Sequence, residues 1–326
     1  MNPFAYVRAD APASALTAIT EFPGARYVAG GTNLLDLMKL DVEAPPLLVD
    51  ISRLSLHAIE DRSGALYVGA LARLTDVAAD ARVRQRFPLV AIALEESASP
   101  QLRNMATVGG NLLQRTRCAY FRDIAMPCNK RNPGSGCGAL DGENRRHAVL
   151  GTSPHCIAVA PSDLAVALAA IDATVHVAGR DGPRTIAMRD FYRLPGEMPQ
   201  IETSLEPNEL IAGVSLPPLA FSSRSTYVKV RDRAQYDFAL ASAAVALDLE
   251  DTTIREARIA LGGLATVPWR SPEAERLLGG AIASRASFER AAAAAMSGAL
   301  GRGANDYKIS LGQRTLVRAL ENAAKG

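Results

Sequence analysis

Excess charge of one sign is missing from this sequence: 36 Lys and Arg stand against 34 Asp and Glu, a formal net charge of +2. No global electrostatic pull draws such a chain onto nucleic acid or an anionic membrane, and a basic nucleic-acid-binding tail is excluded. Long hydrophobic runs are also missing. Even the apolar stretch 162–177 is interrupted by Asp163, Asp172 and His176 and falls short of the roughly 18 apolar residues of a membrane span. The stretch from Met1 to Asp10 has no basic segment followed by an apolar one. The sequence therefore predicts a cytoplasmic product without a signal peptide of its own, exported to the periplasm only with a partner. The four histidines, His57, His147, His155 and His176, form no pair at metal-ligand spacing, and no Ser-His-Asp grouping or paired-carboxylate motif stands out. What is present is a globular composition, 48% hydrophobic and 21% charged. A length of 326 residues predicts two to three folding units.

Cysteine is scarce but not scattered. Cys118, Cys128, Cys137 and Cys156 all fall within a span of 39 residues, with spacing C-x9-C-x8-C-x18-C. Two disulfides suit small secreted domains, and structural zinc usually shows paired C-x2-C knuckles. An iron-sulfur cluster takes its thiolates from loops of irregular spacing, because the cluster organises the chain around it. Composition supports the cluster. Residues 115–155 hold seven basic side chains (Arg115, Arg117, Arg122, Lys130, Arg131, Arg145, Arg146) and three acidic ones (Asp123, Asp141, Glu143), a local +4 that leaves the rest of the chain at −2. Such an excess of cations offsets a cluster's negative charge. The segment is rich in Gly, Pro and Asn and cannot build a core alone, so something has to pin it. Zinc, disulfides and free thiols remain the alternatives. His147 and His155 precede Cys156 and can reach a cluster sulfur, but in such a loop they read first as solvated histidines.

Two glycine turns stand ahead of the cysteines. Tyr27-Val28-Ala29-Gly30-Gly31-Thr32-Asn33-Leu34 continues to Lys39 and reads as a short strand, a turn and an amphipathic helix. Converging backbone N–H groups, with Thr32 and Asn33 at the helix start, favour a phosphate. One Gly-Gly before a helix is commonly a plain turn and is not G-x-G-x-x-G. The second, from Ala106 through Thr107, Gly109, Gly110 and Asn111 to Gln114, strengthens the reading, since two such turns can grip both phosphates of a dinucleotide. After the cysteines, Ser162 N-caps a helix whose Asp163 complements the helix dipole or contacts a ligand. Residues 173–178 and 209–216 read as strands. The last third runs strands (226–230, 239–249, 254–261) and then helices (271–278, 283–296, 309–324), an α+β order. Pro217-Pro218 marks the boundary. By strand pattern alone, Lys229 reads as a surface lysine.

Taken together, both turns, the Ser-Asp helix start and the cysteines resemble the FAD-binding subunit of a molybdenum hydroxylase of the xanthine dehydrogenase family, along essentially the whole chain. More narrowly, the strings from Gln101 to Asn104, from Gly110 to Cys118, from Pro127 to Arg131 and from Pro133 to Cys137 are similar to the bacterial aldehyde oxidoreductase subunits that hold a 4Fe-4S cluster beside FAD. The resemblance implies an α+β fold. It consists of a two-part FAD-binding domain of the vanillyl-alcohol oxidase type (residues 1–55 and 56–218, with an iron-sulfur insertion at 115–156) and a C-terminal α+β domain at 219–326. It implies that Tyr27, Val28, Ala29, Gly30, Gly31, Thr32, Asn33 and Leu34 wrap the FAD diphosphate with Thr107, Gly110, Asn111 and Gln114. Ser162 and Asp163 would meet the ribityl or diphosphate region, Leu210 would belong to the same site, and Lys229 would stand near the flavin, where a cation favours negative charge on the ring. Cys118, Cys128, Cys137 and Cys156 would hold the cluster. Tyr236 and Phe238 depart from the family's residue types there. The implied partners are a large molybdenum-cofactor subunit and a small subunit with two 2Fe-2S clusters in a heterotrimer, which pass electrons to FAD on this chain. A stand-alone flavin oxidoreductase of related fold, or the FAD subunit of a xanthine, CO or aromatic hydroxylase, is the alternative.

Overall fold

Three sheets follow one another along the chain in the computed structural model, which describes residues 1–326 apart from the side chain of Ser222. The first contains β1 (Ala5–Arg8), β2 (Arg26–Val28) and β3 (Leu47–Asp50), all parallel, in the order β1-β3-β2. Parallel neighbours need crossovers, and the helices Pro12–Glu21 and Leu34–Lys39 supply them. The central strand β3 is buried at every residue. The second sheet is antiparallel, with β4 (Ile59–Arg62), β5 (Ala65–Gly69), β6 (Thr174–Gly179), β7 (Gly182–Ala187) and β8 (Leu210–Leu216) in the order β4-β5-β8-β6-β7. Its apolar face packs on the helices Pro88–Glu95 and Asp163–Ala170.

The third sheet, β9 (Ser225–Val230), β10 (Ala241–Glu250), β11 (Thr253–Gly262) and β12 (Trp269–Arg270), is antiparallel in the order β12-β11-β10-β9. Period-two alternation divides the middle strand β10 between two cores. Ala243, Val245 and Leu247 face the C-terminal helices Pro272–Leu278, Arg285–Ala295 and Tyr307–Lys325, whereas Ala244 and Ala246 join the core that contains the Asp163–Ala170 helix. That helix is buried at all eight positions. It docks on the third sheet through Gly262, where a Cβ would lie 2.6 Å from Val166 Cγ2. Among the described residues no helix is long and apolar enough to cross a membrane.

The cysteine segment has little regular structure beyond the single turn Ala119–Arg122, and neighbouring elements hold it on both sides. Lys130 Nζ donates to Pro199 O at 2.9 Å and pairs with Glu202 at 2.8 Å. Asn144 Nδ2 donates to Arg302 O at 3.0 Å, and Val149 N to Leu264 O at 2.8 Å. Internally, the Arg131 guanidinium donates to the carbonyls of Tyr120 (2.8 Å) and Phe121 (2.7 Å). Phe121 and Cys128 are buried with Leu37 in a small apolar cluster that ties the segment to the first glycine-turn helix.

Candidate cofactor site

Only the first glycine pair forms the expected turn; Gly109 and Gly110 lie inside the first turn of a short helix capped by Thr107, and both pairs line one cleft. The first pair leads from β2 into the six-residue helix Leu34–Lys39, and the second belongs to the five-residue helix Val108–Leu112. Helices this short carry little macrodipole, so backbone donors and side chains must do most of any phosphate binding. Arg115 joins the two stretches: its N–H donates to Asn33 Oδ1 at 3.0 Å, and its side chain pairs with Glu43 at 2.7 Å and with Glu202.

Three adjoining cavities make up the cleft. The first, about 290 Å³, is lined by Tyr27 to Leu34 with Thr107, Gly110 and Leu210. The second, about 500 Å³, shares Thr32, Asn33 and Gly110 with it and adds Asn111, Gln114, Asp163 and Lys229. The third, about 300 Å³, shares Arg117, Pro161, Asp163 and Phe238 with the second and adds Ser162 and Cys118. Every FAD residue expected from the sequence therefore lines this run of cavities. The donor set fits a dinucleotide. Tyr27 Oη, Asn33 Nδ2 and Arg117 Nε are buried in its wall without a hydrogen-bond partner, and a buried polar atom left unpaired costs about 1–3 kcal/mol until a ligand satisfies it. Burial pushes the Tyr27 phenol up, so it remains a donor.

The two glycines singled out by sequence play different parts. A Cβ on Gly30 would lie 1.8 Å from Met105 O, so Gly30 is required by contact with the protein's own backbone rather than by a phosphate. A Cβ on Gly110 would have Thr107 Oγ1, at 3.1 Å, as its nearest neighbour and would otherwise point into the cleft. Thr107 caps its own helix by accepting from Gly110 N at 3.3 Å. A Gly110→Val variant should keep its fold and lose FAD occupancy, whereas Gly30→Ala should be destabilised by about 1–3 kcal/mol even without FAD. Thermal unfolding of flavin-free protein, set beside flavin content after reconstitution, separates the two.

At the cleft floor lies a buried network that sequence reasoning missed. Lys229 Nζ is 2.8 Å from Asp163 Oδ2, and the two side chains are only 1% and 7% exposed. Tyr227 Oη donates to Asp163 Oδ1 at 2.6 Å and lies 2.8 Å from Ser242 Oγ. Lys229 also donates to Glu96 O at 3.0 Å. Burial pushes the Asp163 carboxyl up, and the Lys229 ammonium opposes that rise. The surface reading of Lys229 fails because β9 packs against the Pro88–Glu95 and Asp163–Ala170 helices, which cover the face shared by Tyr227 and Lys229. The available signal was their period-two spacing. Because Lys229 is paired, it presents a smaller field to a flavin than a bare lysine would. Ser162 caps its helix as expected, accepting from Ala165 N at 2.9 Å, and donates to Asn111 Oδ1 at 2.6 Å.

Among the described residues the four cysteines form no disulfide, and all four line one small enclosed cavity together with Lys130 and His155. Burial pushes the Cys118 thiol up to about 12, so the bare group is not an activated nucleophile. Among the described residues, no three or more His, Cys, Asp or Glu side chains are gathered closely enough to hold a metal ion. The expectation of solvated histidines holds for His155, which is exposed, but not for His147. His147 is 7% exposed and places Nε2 3.1 Å from Cys118 Sγ.

Residues 2–219 match the family described as the FAD binding domain in molybdopterin dehydrogenase, and residues 226–323 match the CO dehydrogenase flavoprotein C-terminal domain. The chain is 47% identical to the aldehyde oxidoreductase FAD-binding subunit PaoB of Escherichia coli K12, covering 99% of each chain. It is 30% identical to the carbon monoxide dehydrogenase medium chain of Hydrogenophaga pseudoflava, covering 92% of this chain and 89% of the relative. Its fold superposes on a chain of CO dehydrogenase from Oligotropha carboxidovorans with a TM-score of 0.78 at 24% identity, covering 99% and 98% of the two chains.

Proposed function

The chain belongs to the FAD-binding subunits of the molybdenum hydroxylases, and from that premise we propose that it is the FAD- and 4Fe-4S-binding electron-transfer subunit of a molybdenum-dependent aldehyde oxidoreductase. The aldehyde assignment rests on full-length similarity to an aldehyde oxidoreductase FAD subunit. The observation that carries the cofactor pair is Cys118, which lines both the third cavity of the cleft and the cavity of the four cysteines.

In this reading the stretch from Tyr27 to Leu34 wraps the FAD diphosphate, and Thr107, Gly110, Asn111 and Gln114 complete the grip. Leu210 lines the cavity beside Tyr27, while Ser162 and Asp163 meet the ribityl or diphosphate region. Lys229, held by Asp163, bears on the flavin side of the cleft. When bound, FAD would supply the redox chemistry, linking the molybdenum cofactor of a large subunit and the two 2Fe-2S clusters of a small one to an external acceptor. Cys118, Cys128, Cys137 and Cys156 would hold the 4Fe-4S cluster; of the segment's seven basic side chains, all but Arg131 are paired with carboxylates, so little of their charge is left to offset it. Those same side chains also bond the segment to itself and to its neighbours.

The test is the visible spectrum of the purified protein with its partners, before and after anaerobic dithionite, with flavin and iron quantified on the same sample. The expected result is flavin near one per chain and a broad absorbance that bleaches, with four irons per chain beyond those of the partner subunits, as one 4Fe-4S cluster requires. Flavin without that iron returns the cysteines to zinc or plain thiols. A colourless protein overturns the whole reading.

A further inference from the structure

His147 makes a contact that a loop histidine does not need. Its Nε2 is 3.1 Å from Cys118 Sγ, its ring is buried, and its Nδ1 has no hydrogen-bond partner. The sulfur is thus the one polar atom the ring engages, and a thiolate sulfur accepts but does not donate. The backbone behind the ring is held with equal care. His147 N donates to Asn144 O at 2.8 Å. Lys308, on the Tyr307–Lys325 helix, is fully buried and donates from Nζ to the carbonyls of Arg146 and His147, both at 3.1 Å. Asn305, also fully buried, donates to Ala148 O at 3.0 Å. Burying an ammonium against neutral carbonyls is costly, and the cost is reduced where negative charge lies nearby.

We propose that His147 is a positioning residue that donates an Nε2–H hydrogen bond to the Cys118 thiolate of the iron-sulfur cluster, and that Lys308 and Asn305 hold it there from the C-terminal domain. The inference rests on the cluster reading above. A hydrogen bond to a ligating sulfur withdraws electron density from iron and stabilises the more negative, reduced cluster, so it raises the cluster's potential. It also makes the C-terminal domain part of the cluster's environment, although that domain contributes no cysteine.

Two measurements on the purified complex test this. His147→Phe removes the donor and keeps an aromatic ring, and His147→Gln restores an N–H. In a dithionite redox titration followed by electron paramagnetic resonance, one electron enters the cluster. The midpoint potential should move to more negative values in the Phe variant and return toward wild type in the Gln variant, with iron and sulfide content unchanged. Coincident titrations of wild type and His147→Phe overturn the proposal. The second measurement needs no variant: in wild-type protein labelled with 15N-histidine, the reduced cluster should carry a 15N hyperfine coupling, and its absence overturns the proposal even if the Phe variant does not fold. Wild-type protein lacking the extra iron overturns the cluster reading instead, and that outcome is read before either experiment begins.

Discussion

In the Cys128→Ser variant, iron and acid-labile sulfide should fall below the four of each that an intact 4Fe-4S cluster brings, while most of the FAD remains bound. Cys128 is buried beside Phe121 and Leu37, and the backbone around it is already hydrogen-bonded: its N–H donates to Ser135 Oγ at 3.0 Å, and its carbonyl accepts from Asn132 N at 2.8 Å. Arg131 and Lys130 hold the segment by carbonyl contacts that involve no cysteine sulfur. Losing one thiolate therefore removes a ligand without releasing the chain from the cleft. Cys128 does not line any of the three cleft cavities, so flavin binding should be spared. Iron, sulfide and flavin assays on one preparation check all three statements. Unchanged iron and sulfide would refute the ligand assignment.

The Lys229→Met variant should lose about 3–5 kcal/mol of stability, because it leaves the Asp163 carboxylate buried without its cation. Asp163 would retain only the Tyr227 hydroxyl at 2.6 Å, and with the ammonium gone nothing as strong opposes the upward push of burial on its carboxyl. The double variant Asp163→Asn/Lys229→Met removes the stranded charge and should recover a large part of the loss. Urea unfolding of the flavin-free proteins measures both, and equal losses in the single and double variants would sink the buried-pair account. Flavin affinity adds a second readout, since the pair lies on the floor of the second cavity. A structural pair that never met the flavin would leave that affinity unchanged in whatever fraction folds.

Legibility differed between the two halves of the site for a physical reason. The stretches 27–34 and 107–114 are local devices: glycines, a capping hydroxyl and a helix start within a few residues, so their chemistry lies in neighbouring letters. The cysteines were legible because four rare residues crowd one segment. Strand pattern alone makes Lys229 a surface lysine because its partner lies 66 residues away, and only docking of the Asp163–Ala170 helix on the third sheet brings the two together. The same holds for His147: a histidine in a Gly- and Asn-rich loop looks solvated until a helix 161 residues further on closes over its backbone. The part of Gly30 changed too, since the carbonyl against it belongs to Met105, 75 residues further along the chain.

By itself, the sequence determined the order of elements in the last third, the two glycine pairs, the clustered thiols and the family they resemble. The elements, glycine pairs and clustered thiols are carried by period, capping and spacing over short stretches, whereas the family is a resemblance carried by the residue strings around them. Only the tertiary structure decided that the two glycine pairs and the Ser162–Asp163 helix start share one cleft, that Cys118 borders both that cleft and the cysteine cavity, and that Asp163, Lys229, Tyr227 and Lys308 are buried. Burial and ion pairing are properties of surfaces brought together by packing. Side chains distant in the chain acquire them only when the sheets and helices that carry them meet.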